Sequence, residues 1–323
     1  MPNRPSEFAL IAQVFAPLAG TPGAFGLTDD AAALPARVGH DLVVTTDALV
    51  EGVHFLAGDP PVSIAQKALR VNLSDLAAKG AEPAGYLLAL SLPERIGLTW
   101  IEEFARGLGE DQKRFSVPLL GGDTTATPGP LTLAITAMGY VPAGAMIRRS
   151  GARAGDGVYV SGTIGDAGGG LALLSGESAD IGADEAGLLI GRYRLPSPRL
   201  ALGRALRGVA SAALDVSDGL IADLSHIADV SRVRIVVEAG LIPRSSALRA
   251  LWGDSPEAIV RAATAGDDYE IAFTASEAKA GEAAGLGGAA VTRIGRVEEG
   301  AGVALLDSDG REIEVAHTGF THF

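Results

Sequence analysis

Five stretches of the chain set aspartate beside glycine, threonine or the end of an apolar run. Asp29 and Asp30 stand in LTDDAA, Asp47 in VVTTDALVEGVHF, Asp75 in NLSDLAAKG, Asp123 in LLGGDTT, and Asp215 and Asp218 in LDVSDGL. A carboxylate next to a buried strand is unfavourable unless it caps a turn, is paired, or meets a cation. Any one of these aspartates, taken alone, reads first as a cap. Their recurrence points instead to hard divalent cations, which take oxygen ligands. Mg2+ with a phosphorylated substrate fits that set best.

Other motifs narrow the chemistry. GTIGDAGGG at 162–170 follows an apolar run, and its glycines would let backbone amides approach an anion, although a tight strand–helix connection has the same composition. GGDTT at 121–125 is more specific, joining two glycines to a carboxylate and two hydroxyls. Arg148-Arg149 reads equally as a phosphate clamp or a solvated charge pair. No GxxxxGK[ST] and no protein-kinase signature set is present. HExxH and GxSxG are also missing, which argues against a zinc protease and an α/β-hydrolase. Of the five histidines, His54 stands out, in a short apolar turn seven residues after Asp47.

Composition sets the outer limits. The chain has 323 residues, 47% hydrophobic and 20% charged, as ordinary globular proteins do, and its length suits two domains. It carries 26 basic and 39 acidic residues, net −13, so a nucleic-acid backbone is an unexpected partner. There is no cysteine, which excludes disulfides, thiolate metal sites and a cysteine nucleophile. No apolar run reaches the roughly 18 residues of a membrane span. The N-terminal stretch is interrupted by Glu7 and Gln13 and reads as a short amphipathic helix, with Ser6 as N-cap and Phe8, Ile11, Ala12 and Phe15 on one face. The expected location is cytoplasmic, with no membrane partner.

These residues must be mounted on alternating strands and helices. Strands are expected at 41–46, ending at Asp47, and at 86–92, 117–120 and 131–141, with helices at 63–79 and 99–114 and GGDTT as a turn. A second block has strands at 157–161, 233–237, 269–274 and 291–297 and helices at 197–208 and 219–231. The Gly/Ala-rich acidic segments 175–191 and 275–290 read as surface. Pro142, Gly144, Gly151, Gly155 and Gly157 crowd the junction. The expectation is an α/β (α+β) protein of two domains, 1–147 and 148–323.

Taken in order, the motifs resemble the thiamine-monophosphate kinase family. The strings are EFALIAQVF (7–15), TDD (28–30), TTDALVEGVHF (45–55), KALRVNLSDLAAKGAEP (67–83), LLGGDTT (119–125), RRSGARAGD (148–156), RLPSPR (194–199), LDVSDGL (214–220), GDDYE (266–270) and GFTHF (319–323). The resemblance covers nearly the whole chain. GGDTT and DxSDGL are shared with the wider superfamily of aminoimidazole ribonucleotide synthetase and selenophosphate synthetase.

The resemblance implies an N-terminal aminoimidazole-ribonucleotide-synthetase-like sheet-plus-helix domain that binds ATP and Mg2+ and forms a homodimer, followed by a C-terminal α/β domain. It implies ATP-dependent phosphorylation of thiamine monophosphate to thiamine diphosphate. Several Mg2+ ions would be held by Asp30, Thr45, Thr46, Asp47, Asp75, Asp123, Asp215 and Asp218. ATP would meet Gly121, Gly122, Arg149 and Ser217, and the thiamine phosphate would meet His54, Asp267 and Phe320. Two positions depart from the family pattern: Thr28 replaces Gly, and Asp267 replaces Glu. Threonine adopts positive φ poorly, so the turn at 28–30 is expected to differ.

An acceptor that is already an anionic phosphate oxygen needs no strong base and no covalent nucleophile, so direct in-line transfer is expected. The alternatives are an aminoimidazole ribonucleotide synthetase-like ligase and a non-catalytic nucleotide- or metal-binding module.

Overall fold

The computed structural model describes residues 5–178, 180–283 and 288–321; His322 and Phe323, which end the GFTHF string, lie outside them. Two compact units result. The first runs to Gly144, the second begins at Ala145, and Ala77–Gly80 belong with the second.

The first unit opens on α1 (Glu7–Leu10), which runs into a π-helical stretch, Ile11–Phe15. Ser6 is its N-cap but makes no side-chain cap bond. The expected apolar face assumed a period of 3.6. The wider π turn instead aligns residues five apart, so Leu10 and Phe15 are buried while Phe8 is 81% exposed.

Four strands and two helices follow: β1 (His40–Val50), α2 (Pro61–Ala78), β2 (Glu82–Pro93), α3 (Leu98–Phe115), β3 (Leu119–Thr127) and β4 (Thr132–Pro142). The sheet order is β1-β4-β2-β3. β4 is antiparallel to both β1 and β2, while β2 and β3 run parallel. The α3 crossover permits that parallel pair. The β-branched run VVTT favours extension, and β1 continues past Asp47 to Val50, so Asp47 lies inside the strand. GGDTT is also strand and not turn. Its Gly122 backbone lies so close to β2 that a Cβ would come 1.9 Å from the Leu88 carbonyl oxygen. Strand pairing here overrides the turn preference of Gly, Asp and Thr.

Helix α2 is buried almost all round, with Ala65, Ala68, Leu69, Leu73 and Leu76 inaccessible to solvent. The long polar side chains it buries are paired. Arg70 grips Asp111 of α3 through Nε–Oδ2 at 2.6 Å and a second guanidinium nitrogen to Oδ1 at 2.8 Å. Lys67 Nζ donates to the His54 carbonyl at 2.8 Å.

The second unit contains β5 (Gly157–Ser161), α4 (Asp166–Leu174), α5 (Ala183–Arg194), α6 (Leu200–Ala205), β6 (Ala212–Asp215), α7 (Leu220–Ser231), β7 (Arg234–Glu238), α8 (Ser246–Trp252), α9 (Pro256–Thr264), β8 (Ile271–Ala275), α10 (Glu277–Ala283), β9 (Val291–Glu298) and β10 (Gly302–Leu306). Its mixed sheet has the order β10-β7-β9-β5-β8-β6. The segment expected as surface at 175–191 contains most of α5, whose Leu189 packs with Ala247, Leu248 and Ala262. Among the described residues, no helix is long and apolar enough to cross a membrane.

The Arg70–Asp111 pair is nearly solvent-free, with side chains 5% and 1% exposed. Removing one partner strands a buried charge, typically a loss of about 3–5 kcal/mol. Asp111→Ala should lose stability on that scale in urea denaturation, whereas truncating Glu103, which pairs with Arg106 on the exposed side of α3, should change it by less than about 1 kcal/mol.

Candidate functional site

The first unit gathers part of the aspartate set around a cavity of about 760 Å³, lined by Asp29, Asp30, Gly121, Gly122, Asp123 and Thr124 together with apolar side chains such as Phe15 and Leu87. Asp29 and Asp30 follow a turn in which Phe25, Gly26 and Leu27 hold φ of 48°, 63° and 58°. Thr28 itself has φ −108°, so the left-handed positions precede it and the threonine fits without strain. Asp29 Oδ1 accepts the Asp30 backbone N–H at 2.8 Å, which fixes the pair locally.

Strand β1 divides its candidates between two faces, as alternation requires. Thr45 and Asp47 turn toward α2. Thr45 Oγ1 donates to Asp75 Oδ2 at 2.5 Å, and the Asp47 N–H donates to Asn72 Oδ1 at 3.1 Å. Thr46 points the other way, where its hydroxyl accepts from Thr136 at 3.1 Å. The first unit thus sets Asp30 and Asp123 at one cavity and Thr45, Asp47 and Asp75 at the α2 face. Among the described residues, no three His, Asp or Glu side chains converge as a ready-made metal cage. Mg2+ rarely needs one: it binds through one or two carboxylates plus substrate phosphates and water.

His54 sits in the turn after β1. Its Nδ1 accepts the Val50 backbone N–H at 3.0 Å. That nitrogen must therefore offer a lone pair, and the neutral ring carries its proton on Nε2.

In the second unit three segments zip together. The Asp267 N–H donates to the Ser217 carbonyl at 2.8 Å, Tyr269 N–H to Val216 at 2.7 Å, and Phe320 N–H to Asp218 at 2.9 Å. These bonds bring Asp215, Ser217, Asp218, Asp267 and Phe320 into one neighbourhood. Gly319 is needed there, because a Cβ would come 2.4 Å from the Asp218 carbonyl oxygen. Arg149 belongs to the second unit too; it is exposed, and its carbonyl accepts from Ser231 Oγ at 3.4 Å. His54 lies in the first unit.

The spacing arguments missed the residues that hold these loops. Asp223 Oδ2 accepts the backbone N–H groups of Ser217, Asp218 and Gly219 at 2.9, 3.0 and 3.2 Å. Burial, with the charge of Asp218 beside it, pushes the Asp223 carboxyl up to about 7 against the pull of those three donors. Burial likewise raises Asp268 well above its ordinary value. Asn72 and Glu270 were also missed. The one available signal for Asp223 was its place in the first turn of a helix, where an acid commonly caps.

Comparison with known proteins follows the same two-part division. The family "AIR synthase related protein, N-terminal domain" matches residues 28–141, and "AIR synthase related protein, C-terminal domain" matches residues 153–308. The chain is 47% identical over 325 residues to the thiamine-monophosphate kinase of Caulobacter vibrioides, covering 98% of this chain and 91% of that protein. It is similar to the crystal structure of the Stenotrophomonas maltophilia thiamine-monophosphate kinase, with TM-score 0.84, 44% identity, and 95% and 98% of the two chains covered. It is similar as well to a structure described as AaThiL complexed with AMPPCP and TMP, with TM-score 0.79, 33% identity, and 98% and 97% covered.

Asp223 generates a pH test. Its carboxyl holds its proton up to about pH 7 in the fold, whereas the unfolded chain ionises near pH 4. Between those values unfolding releases a proton, so stability falls as pH rises, by at most about 1.4 kcal/mol per pH unit from this group. Asp268 adds a slope of the same sign, so the comparison is between proteins. In chelator, Asp223→Asn should show a shallower decline than the parent from pH 4 to 7 in denaturant titrations, and the two slopes should coincide below pH 4.

Proposed function

The chain belongs to the thiamine-monophosphate kinase family, and on that premise we propose how its two clusters divide the work. The reaction is ATP-dependent phosphorylation of thiamine monophosphate to thiamine diphosphate. In our reading the first unit takes Mg·ATP at the cavity lined by Asp30, Gly121, Gly122 and Asp123, and the second unit supplies Asp215, Ser217, Asp218, Asp267 and Phe320. The observation that carries this reading is the convergence of three carboxylates, Asp29, Asp30 and Asp123, and two side-chain-free glycines on the lining of one cavity.

The donor set suits magnesium. Carboxylates and threonine hydroxyls are hard oxygen ligands, and the chain has no thiolate to favour a softer ion. Asp30 and Asp123 at the cavity, Thr45, Thr46, Asp47 and Asp75 on or beside β1, and Asp215 and Asp218 in the second unit are the groups that would hold the ions. Bound there, Mg2+ would neutralise phosphate charge during transfer. Gly121 and Gly122 line the cavity that takes the nucleotide phosphates, where a Cβ at Gly121 would meet only Leu87; in the second unit, Arg149 and Ser217 are our candidates for nucleotide donors. His54, protonated on Nε2, can donate to the acceptor phosphate. The transferring group passes directly to an oxygen that is already an anion, so no protein base is required.

Incubation with ATP, Mg2+ and thiamine monophosphate should yield ADP and thiamine diphosphate in equal amounts, and chelation should stop it. Asp75→Asn and Asp123→Asn should each lower kcat/KM at least about 100-fold, or roughly 2.7 kcal/mol of transition-state stabilisation, while circular dichroism stays unchanged. Near-parental activity in both variants would remove these carboxylates from the site.

We also propose a homodimer through the first unit. On the sheet face opposite α2, outside the cavity lining, edge strand β1 exposes Leu42 and Val44, at 50% and 56%. Large apolar side chains exposed on an edge strand are suited to a self-complementary two-fold contact. Light scattering should give twice 32.8 kDa, and Val44→Arg should shift the species to the single-chain mass.

A further inference from the structure

Asp267 and Tyr269 both hold left-handed backbone, with φ 69° and 50°. Neither is glycine, and an L side chain there is strained against its own carbonyl. Two such residues within three persist only where the surroundings over-determine the loop.

The alternate residues of the loop provide that determination. Asp268 is 1% exposed; its Oδ2 accepts the Gly165 N–H at 2.6 Å and its Oδ1 accepts the Ala167 N–H at 3.3 Å, at the start of α4. Glu270 has no exposed surface. It accepts from Arg192 at 2.7 Å, from Arg199 Nε at 2.6 Å with a second Arg199 nitrogen beside it, and from Ser161 Oγ at 2.5 Å. Arg192 also reaches the Asp268 carbonyl at 3.4 Å. Gly162 makes room, since a Cβ there would come 2.2 Å from Glu270 Oε1. The loop is therefore pinned from below at every second residue, and the pinned residues alternate with the left-handed ones.

We propose that Asp268 and Glu270 are positioning residues, which hold the strained Gly266–Glu270 loop so that Asp267 meets the thiamine phosphate. This rests on the reading of Asp267 as a substrate contact. The Ser217–Gly219 backbone has an anchor of its own in Asp223, besides the bonds that the Ser217 and Val216 carbonyls accept from the Asp267 and Tyr269 N–H groups. Loosening the Glu270 anchor thus acts first on Asp267 and the substrate it meets, while Asp223 still holds Ser217–Gly219.

The experiment determines KM for thiamine monophosphate and for Mg·ATP separately, with melting temperatures, in Glu270→Gln, Arg199→Lys and Asp267→Ala. Arg199→Lys keeps the charge and loses the forked contact, and it decides the matter if Glu270→Gln does not fold. All three should raise KM for thiamine monophosphate about tenfold, with KM for Mg·ATP and kcat within about twofold, the mark of lost substrate binding. A fall in melting temperature with KM for thiamine monophosphate unchanged in Glu270→Gln and Arg199→Lys, while Asp267→Ala raises it, would overturn the positioning role alone. An unchanged KM in Asp267→Ala would overturn the substrate contact and the positioning role with it. Equal rises for both substrates would make Glu270 a purely structural group.

Discussion

A carboxylate removed from water must be met by donors or by a positive charge, and in this protein that requirement shapes the functional loops. Glu270 keeps its place in a solvent-free position because two guanidinium groups and a hydroxyl close on it. Asp111 does the same against Arg70 in the first unit. Where the donors are backbone N–H groups, satisfying the carboxylate dictates the course of the chain. Asp223 collects three consecutive N–H groups on one oxygen, which bends Ser217–Gly219 around it. Asp268 takes the N–H groups at the start of α4 and ties that helix to the loop before β8. The acids that organise the second unit are thus buried beneath the residues expected to touch ligands.

Much of the architecture was legible because it rests on local periodicity. Helix α3 follows from the spacing of Ile101, Phe104 and Leu108, all inaccessible in the structure, and β5 from the apolar run GVYVS. The misreadings have two causes, a local preference overridden by a distant partner and a local change of helical period. GGDTT has turn composition but is paired along β2. The described residues of segment 175–191 are exposed or half-buried as expected apart from Leu189, and that residue, with Tyr193 just beyond the segment, packs α5 against the unit. The N-terminal face was misjudged because a π turn changes which residues align, and sequence spacing assumes the ordinary period.

The candidate ligands were legible as motifs, but their directions were not. Thr45 and Thr46 are neighbours in one string, and alternation sends one to Asp75 and the other to Thr136. Once the extent of β1 is known, that split follows from strand geometry alone. The anchors were less accessible. Glu270 meets Ser161 across 109 positions and Arg192 across 78, a juxtaposition that no local pattern encodes. Motif reading finds groups that contact ligands more readily than groups that hold other groups, since the second kind is defined by long-range partners.

His54 shows how one backbone bond restricts chemistry. A histidine that accepts a phosphoryl group attacks through an unprotonated nitrogen. Here Nδ1 has its lone pair directed at the Val50 N–H, and the neutral ring then bears hydrogen on Nε2. Attack through Nδ1 would break the turn bond, and attack through Nε2 would require the opposite tautomer, with a proton on Nδ1 facing the Val50 N–H. The Lys67 ammonium fixes the His54 carbonyl from the other side, so the turn cannot easily swing to release the ring. The same geometry suits a donor: a neutral imidazole with a fixed Nε2–H can hydrogen-bond an anionic oxygen without itself becoming charged. The turn that follows β1 therefore favours a histidine that binds phosphate over one that carries it, in keeping with transfer straight from nucleotide to acceptor.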